Sequence, residues 1–108
     1  MHNILVTGSN GQLGSEIRVI ASKYPNYNFL FTDSEQLDIT KYNYVNEFIK
    51  KNQINIIINC AAYTAVDKAE DEPELANSIN NLAVENLARI SEKRNIKFIH
   101  ISTDYVFD

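Results

Sequence analysis

The chain has 108 residues, enough for one hydrophobic core and too few for two ordinary domains. Its hydrophobic content of 44 % and charged content of 22 % suit a soluble globular protein, and a net charge of −4 without a basic stripe argues against a general nucleic-acid binder. Lys50-Lys51 and Lys93-Arg94 are isolated pairs near expected helix ends, where they complement the helix dipole. One cysteine, Cys60, excludes an internal disulfide and fits a reducing compartment; with His2 and His100 scattered, no metal-ligand cluster is expected. Apolar runs such as 56–58 are too short to span a bilayer, so no membrane partner is expected. The first strand begins almost at Met1, so no leader peptide is expected and a cytoplasmic location is.

Residues 4–6 are continuously apolar and read as a buried strand. A helix is expected over 12–23, with Leu13, Ile17, Ile20 and Ala21 on its apolar face and Tyr24-Pro25 ending it. Residues 28–32 form the second strand, which ends at Asp33; 34–36 are a loop, and 37–39 a very short third strand at the sheet edge. Thr40 is placed to cap a helix over 41–52 that carries Tyr44, Val45, Phe48 and Ile49 on one face. Residues 54–58 are the most hydrophobic strand and belong deep in the sheet. A polar, partly helical segment spans 64–71. A long helix follows over 73–94 with Ile79, Leu82, Ala83, Leu87 and Ile90 as its stripe and Asn95 as its C-cap. Residues 96–101 are the last strand. Strands alternate with helices, so the fold class is α/β: a Rossmann-like, doubly wound parallel sheet. The first strand is expected between the second and the fourth main ones, with a crevice where the order reverses.

All three glycines, Gly8, Gly11 and Gly14, lie in the turn between the first strand and the first helix. A glycine turn that opens a helix presents backbone N–H groups to a phosphate or pyrophosphate. The Gly-Lys-Ser/Thr ending of a triphosphate P-loop is absent. Asp33 lies nineteen residues beyond Gly14, where an acidic residue can meet adenosine ribose hydroxyls and repel a 2′-phosphate. That favours NADH slightly over NADPH; the other reading of Asp33 is a residue that opens a turn. Cys60 reads as a small buried residue, and Tyr63 and Tyr105 have packing roles open to them as well as binding ones.

Thr7–Gly14, Thr-Gly-x-x-Gly-x-x-Gly, resembles the cofactor loop of the extended short-chain dehydrogenases/reductases. Asn59-Cys60-Ala61-Ala62-Tyr63-Thr64-Ala65-Val66-Asp67-Lys68-Ala69-Glu70 and Ser102-Thr103-Asp104-Tyr105-Val106-Phe107 resemble one branch of them, the dTDP-4-dehydrorhamnose reductases. The resemblance covers essentially the whole chain. It implies that Gly8, Asn10, Gly11, Gln12 and Leu13, with Gly14, line the pyrophosphate and nicotinamide side of NAD(P)H. It also implies that Asp38 and Ile39 meet the adenine, and that Ala61, Ala62 and Tyr63 pack along ribose and nicotinamide, supported by Asn80. Val66 would bring backbone near the sugar, Asp104 would reach the sugar or order the site (a turn residue is the other reading of it), and Thr103 would be the Ser/Thr of the catalytic triad. The implied reaction is reduction of the C4 ketone of dTDP-4-dehydro-L-rhamnose to dTDP-L-rhamnose for surface polysaccharide, with a dTDP-linked sugar nucleotide as partner. Such a reduction needs a hydride donor, a proton donor and a hydrogen bond to the oxygen that gains charge. A hydroxyl such as that of Thr103 can supply the last; a residue that satisfies a strand-end turn is the other reading of it.

The proton donor of the resembled family sits in Tyr-x-x-x-Lys. Tyr24, Tyr27, Tyr42, Tyr44 and Tyr63 are not followed by lysine four positions on, and for Tyr105 that position lies beyond Asp108. Residues 1–108 are therefore expected to be the N-terminal, NAD(P)-binding part of a longer enzyme, cut after the strand ending near Ile101 and without its C-terminal substrate-binding part. Such a piece is expected to be inactive alone and to self-associate through its exposed last strand. Two other functions fit the same motifs: a noncatalytic NAD(P)-binding regulatory subunit of the methionine adenosyltransferase beta type, and another sugar-nucleotide reductase, epimerase or dehydratase.

Overall fold

The computed structural model describes residues 2–9, 11–33, 35–60 and 73–101, with only the helical backbone over 73–80. Four strands form one parallel sheet: β1 (His2–Thr7), β2 (Tyr27–Phe31), β3 (Ile56–Asn59) and β4 (Lys97–His100), in the order β2-β1-β3-β4. Helices α1 (Gln12–Ala21), α2 (Tyr42–Lys51) and α3 (Pro73–Arg94) make the crossovers that parallel strands require. β1 pairs with β2 from His2↔Tyr27 to Val6↔Phe31 and with β3 from Ile4↔Ile56 to Thr7↔Asn59. β3 pairs with β4 from Ile56↔Lys97 to Asn59↔His100. The chain leaves β1 for β2 on one side and comes back to β3 on the other, so the strand order reverses at the C-terminal end of β1. In this architecture that is the ligand crevice.

Alternation along each strand divides the core in two. Leu5 and Ile57 face α2 and α3, where they meet Val45, Ile49, Leu87 and Ile90. Ile4 and Val6 face α1, where they meet Ile17 and Cys60. β3 has β1 on one side and β4 on the other, which places the most apolar run inside the sheet.

The doubly wound α/β expectation is met, and several local expectations are corrected. Residues 37–39 form no strand. Leu37 and Ile39 are buried in the core, and their backbone bonds are local or made to a helix: Leu37 N–H donates to the Asp33 carbonyl (2.9 Å), and Asn86 Nδ2 donates to the Ile39 carbonyl (3.1 Å). The segment plugs the core instead of extending the sheet. With 37–39 not a strand, the second neighbour of β1 is β3.

Thr40 is not the N-cap of α2. Lys41 occupies that place without a side-chain cap bond, and the Thr40 hydroxyl is given to Asp38 instead. α1 stops at Ala21, two residues short of the expected end, and Ile20 is 49 % exposed because α1 packs through Leu13, Gly14 and Ile17. Tyr44 and Leu82 are exposed for the same kind of reason: the buried stripes are narrower than the apolar ones, with Val45 and Ile49 buried on α2 and Ala83, Leu87 and Ile90 on α3. The α3 residue Ile79 lies outside the described side chains. Asn95 follows α3 with φ 58°, the left-handed conformation expected of a C-cap asparagine.

Candidate functional site at the strand-order reversal

The glycine turn sits at the C-terminal end of β1, at the reversal. Gly8 has φ 65°, a conformation that strains any residue with a Cβ. Gly11 is the N-cap of α1, and the Ser15 N–H donates to its carbonyl (3.1 Å). No side chain caps α1, and no acidic residue stands in its first turn. An anion approaching this end meets backbone donors without a competing carboxylate from that turn. Gly14 is buried, and a Cβ there would fall on the backbone of Ser9, so this glycine lets α1 close against the turn. Gln12 is exposed, and Leu13 packs against Ile17 and its neighbours.

The turn is tied to the end of β2. The Ser9 N–H donates to the Thr32 carbonyl (2.9 Å), and the Thr32 N–H (2.9 Å) and hydroxyl (3.1 Å) donate to the Val6 carbonyl. Just beyond lies Asp33, whose Oδ1 accepts the N–H groups of Glu35 (3.0 Å) and Gln36 (2.9 Å). The turn-opening role of Asp33 is thus built into the structure, and a ribose contact would fall to its other oxygen. Asp38 accepts the Thr40 hydroxyl (2.5 Å) and N–H (3.0 Å). The Thr40 hydroxyl bond is the main cause that holds its carboxyl below the usual value; burial opposes it, and the Thr40 N–H and Lys41 charge assist. Ile39 is buried in the core.

Sequence reasoning missed a second polar group at the strand ends. The Thr7 hydroxyl donates to Asn59 Oδ1 (2.6 Å), and Asn59 Nδ2 is 3.1 Å from His100 Nδ1. Thr7, Asn59 and His100 occupy one register line across β1, β3 and β4. Thr7 and Asn59 are buried. The line ties together the three strand ends that border the reversal. Polar residues closing three apolar strands were the available signal. Cys60 follows directly and is fully buried; burial pushes its thiol up to about 11, which leaves it protonated and unreactive at neutral pH.

The structure brings Gly8, Gly11, Gln12, Leu13, Gly14 and Asp33 to the C-terminal ends of β1 and β2, and Asp38 and Ile39 to the segment that follows. Asn10, Ala61, Ala62, Tyr63, Val66, Thr103 and Asp104 lie outside the described residues, as does the side chain of Asn80. Among the described residues no group of three or more His, Cys, Asp or Glu could hold a metal ion, and no helix is long and apolar enough to cross a membrane.

Parallel order β2-β1-β3-β4, helices on both faces and a glycine turn at the reversal define a Rossmann-like α/β protein. More particularly, the family model of the RmlD substrate binding domain matches residues 1–108, and the chain belongs to that family. It is 42 % identical over 108 residues to a dTDP-4-dehydrorhamnose reductase of Aggregatibacter actinomycetemcomitans, covering 100 % of this chain and 37 % of that protein. It is 40 % identical to a probable low-salt glycan biosynthesis reductase, Agl14, of Haloferax volcanii, covering 95 % of this chain and 37 % of that one. A crystal structure of dTDP-4-dehydrorhamnose reductase from Bacillus anthracis in complex with NADP superposes with a TM-score of 0.82 at 39 % identity, over 98 % of this chain and 38 % of that one. The chain therefore spans less than two fifths of the length of these relatives.

Proposed function

We propose that residues 1–108 form the NAD(P)-binding part of a reductase of dTDP-4-dehydro-L-rhamnose, which makes dTDP-L-rhamnose for surface polysaccharide. The observation that carries this reading is the uncapped, glycine-built start of α1 at the strand-order reversal, in a chain 42 % identical along its whole length to a reductase of that name. The dinucleotide fits the residues present: Gly8 turns the backbone where other residues are strained, and Gly14 admits the close approach of α1 to the turn.

Gly8, Asn10, Gly11, Gln12, Leu13 and Gly14 hold the pyrophosphate side. Asp33, Asp38 and Ile39 border the adenosine, and Ala61, Ala62 and Tyr63 the nicotinamide ribose, with Asn80 in support. When bound, the nicotinamide supplies hydride to the C4 ketone. Thr103 donates a hydrogen bond to the ketone oxygen, whose growing charge makes that bond stronger in the transition state. Val66 and Asp104 contact the sugar. No complete Tyr-x-x-x-Lys occurs within residues 1–108, and this reading assigns the proton donor to none of the residues named above. The lean to NADH rests on the charge of Asp33. Residence in the cytoplasm, and self-association along the edge of β4, are parts of the same reading.

Titration of the full chain with NADPH and NADH, followed by the rise in nicotinamide fluorescence, tests the cofactor half of this proposal. Saturable binding of at least one supports it, and no binding of either refutes it. A steady-state assay with the keto-sugar nucleotide tests the rest: the 108-residue chain alone is expected to show little or no turnover.

A further inference from the structure

β4 is four residues long, and among the described residues its one strand neighbour is β3. Past the last register pair, Asn59↔His100, the Ile101 N–H donates to the Asn59 carbonyl (3.2 Å). On the other side of β3, the Cys60 N–H donates to the Thr7 carbonyl (2.9 Å). The side chains of the same register line run alongside these backbone bonds. Leu5, Ile57 and Phe98, two residues earlier on each strand, are apolar and pack into the core beneath α2 and α3. One step further along that face the three strands turn polar together, as Thr7, Asn59 and His100. His100 is half-buried, with its ring centre 6.1 Å from that of Phe98.

Two distances set the direction of the line. The 2.6 Å contact between Thr7 Oγ1 and Asn59 Oδ1 suits an O–H donor, whose range is about 2.5–3.0 Å, better than an N–H donor, whose range starts at about 2.7 Å. Asn59 therefore turns its oxygen to Thr7 and its nitrogen to His100, and the 3.1 Å contact on that side suits an N–H donor. An amide nitrogen only donates, so His100 Nδ1 accepts and the ring proton sits on Nε2. Donation runs one way, from β1 through β3 to β4.

We propose that His100 is a positioning residue: through Asn59 it fixes the end of β4 against the end of β3. From β3 the chain runs on to Ala61, Ala62 and Tyr63, and from β4 it runs on to Thr103. The link thus sets a common origin for the nicotinamide-side segment and for the hydroxyl that meets the ketone. Those two roles rest on the function proposed above; the bond itself does not. His100 acts through Asn59 and touches neither cofactor nor substrate.

NMR of the full chain in mildly alkaline buffer tests the bond first. Wild type is expected to show a proton on His100 Nε2, none on Nδ1, and a scalar coupling across the bond from Asn59 Nδ2 to His100 Nδ1. A proton on Nδ1, or no coupling, overturns the proposal without any variant. H100A and H100N then test the positioning, since asparagine keeps an acceptor near the place of Nδ1 and alanine does not. H100A is expected to speed exchange of the Ile101 amide relative to that of Leu5 by about fivefold, the size of one neutral hydrogen bond, and H100N to restore it. H100A is also expected to lose the NADP+-induced shifts of Ala61 and Tyr63 while keeping those of Gly11 and Gln12, and H100N to regain them. Equal acceleration at Leu5 and Ile101, H100N no better than H100A, or unchanged shifts at Ala61 and Tyr63 in H100A overturns the positioning role and leaves the dinucleotide reading standing. A wild-type chain that NADP+ leaves unshifted overturns the dinucleotide reading and the positioning role together, even where the coupling is seen.

Discussion

Among the described residues, Leu5 and Ile57 lie beneath α2 and α3 on one face of the sheet, and Ile4 and Val6 lie beneath α1 on the other. Neighbouring residues of the same strands therefore live in different surroundings. The described helices of the β2→β3 and β3→β4 crossovers, α2 and α3, lie on the first face, which collects ten buried residues among those described, against four on the second. On the α1 face, Ile56 and Ile58 are half-buried and Ile99 is 40 % exposed. Among the described residues, the face with fewer buried side chains is the one that carries the glycine turn, so the apolar burial described is concentrated away from the backbone donors of that turn.

Paired truncations would break or sharpen that contrast most. Leu87→Ala on the two-helix face is expected to cost about 4 kcal/mol and Ile17→Ala on the α1 face about 2 kcal/mol, because a cavity under one helix collapses more readily than one enclosed by two. Urea unfolding of the two variants checks the difference, and equal losses would erase the distinction between the faces. Next in size, Gly14→Ala should destabilise the chain by about 1–3 kcal/mol, since its new methyl group must displace the Ser9 backbone. A melting temperature unchanged by that substitution would show that α1 does not rest on the turn.

The smallest effect belongs to Asp38→Asn, which weakens the two bonds to Thr40 and should cost less than about 1 kcal/mol at neutral pH. The folded-state carboxyl is held below its ordinary value of 3.8, so its stabilisation is present above that value and is lost as pH falls through the lower, folded one. Wild type and Asp38→Asn should therefore converge in stability in acid. Curves that stay parallel down to that range would remove Asp38 from the account.

The α/β order was legible in the sequence because continuous apolar runs such as 56–58 alternate with three-four spaced helices, the expected strand at 37–39 being the exception. The glycine turn was legible because every glycine of the chain falls within it. Residues 37–39 misled because an apolar-polar-apolar triplet looks the same whether its backbone joins a sheet or closes on a local turn. Only tertiary packing of Leu37 and Ile39 into the core decides between them. Ile20, Tyr44 and Leu82 misled because periodicity marks a face but not how far a neighbouring element covers it. Thr40 had the right chemistry for a cap, yet Asp38 two residues earlier competes for its hydroxyl. Polar residues closing three apolar strands hinted at the Thr7–Asn59–His100 line, but its bonds could not be read, since its members are 52 and 41 positions apart and meet only through strand register.

The central claim is that a dinucleotide lies on the glycine turn at the strand-order reversal. Backbone amide NMR of the full chain, titrated with NADP+, tests it residue by residue. The account predicts saturable shifts at Ser9, Gly11, Gln12 and Leu13, with the amides of Ser91 to Asn95 at the far end of α3 unmoved. Shifts confined to α3, or a spectrum that NADP+ leaves unchanged, would contradict it.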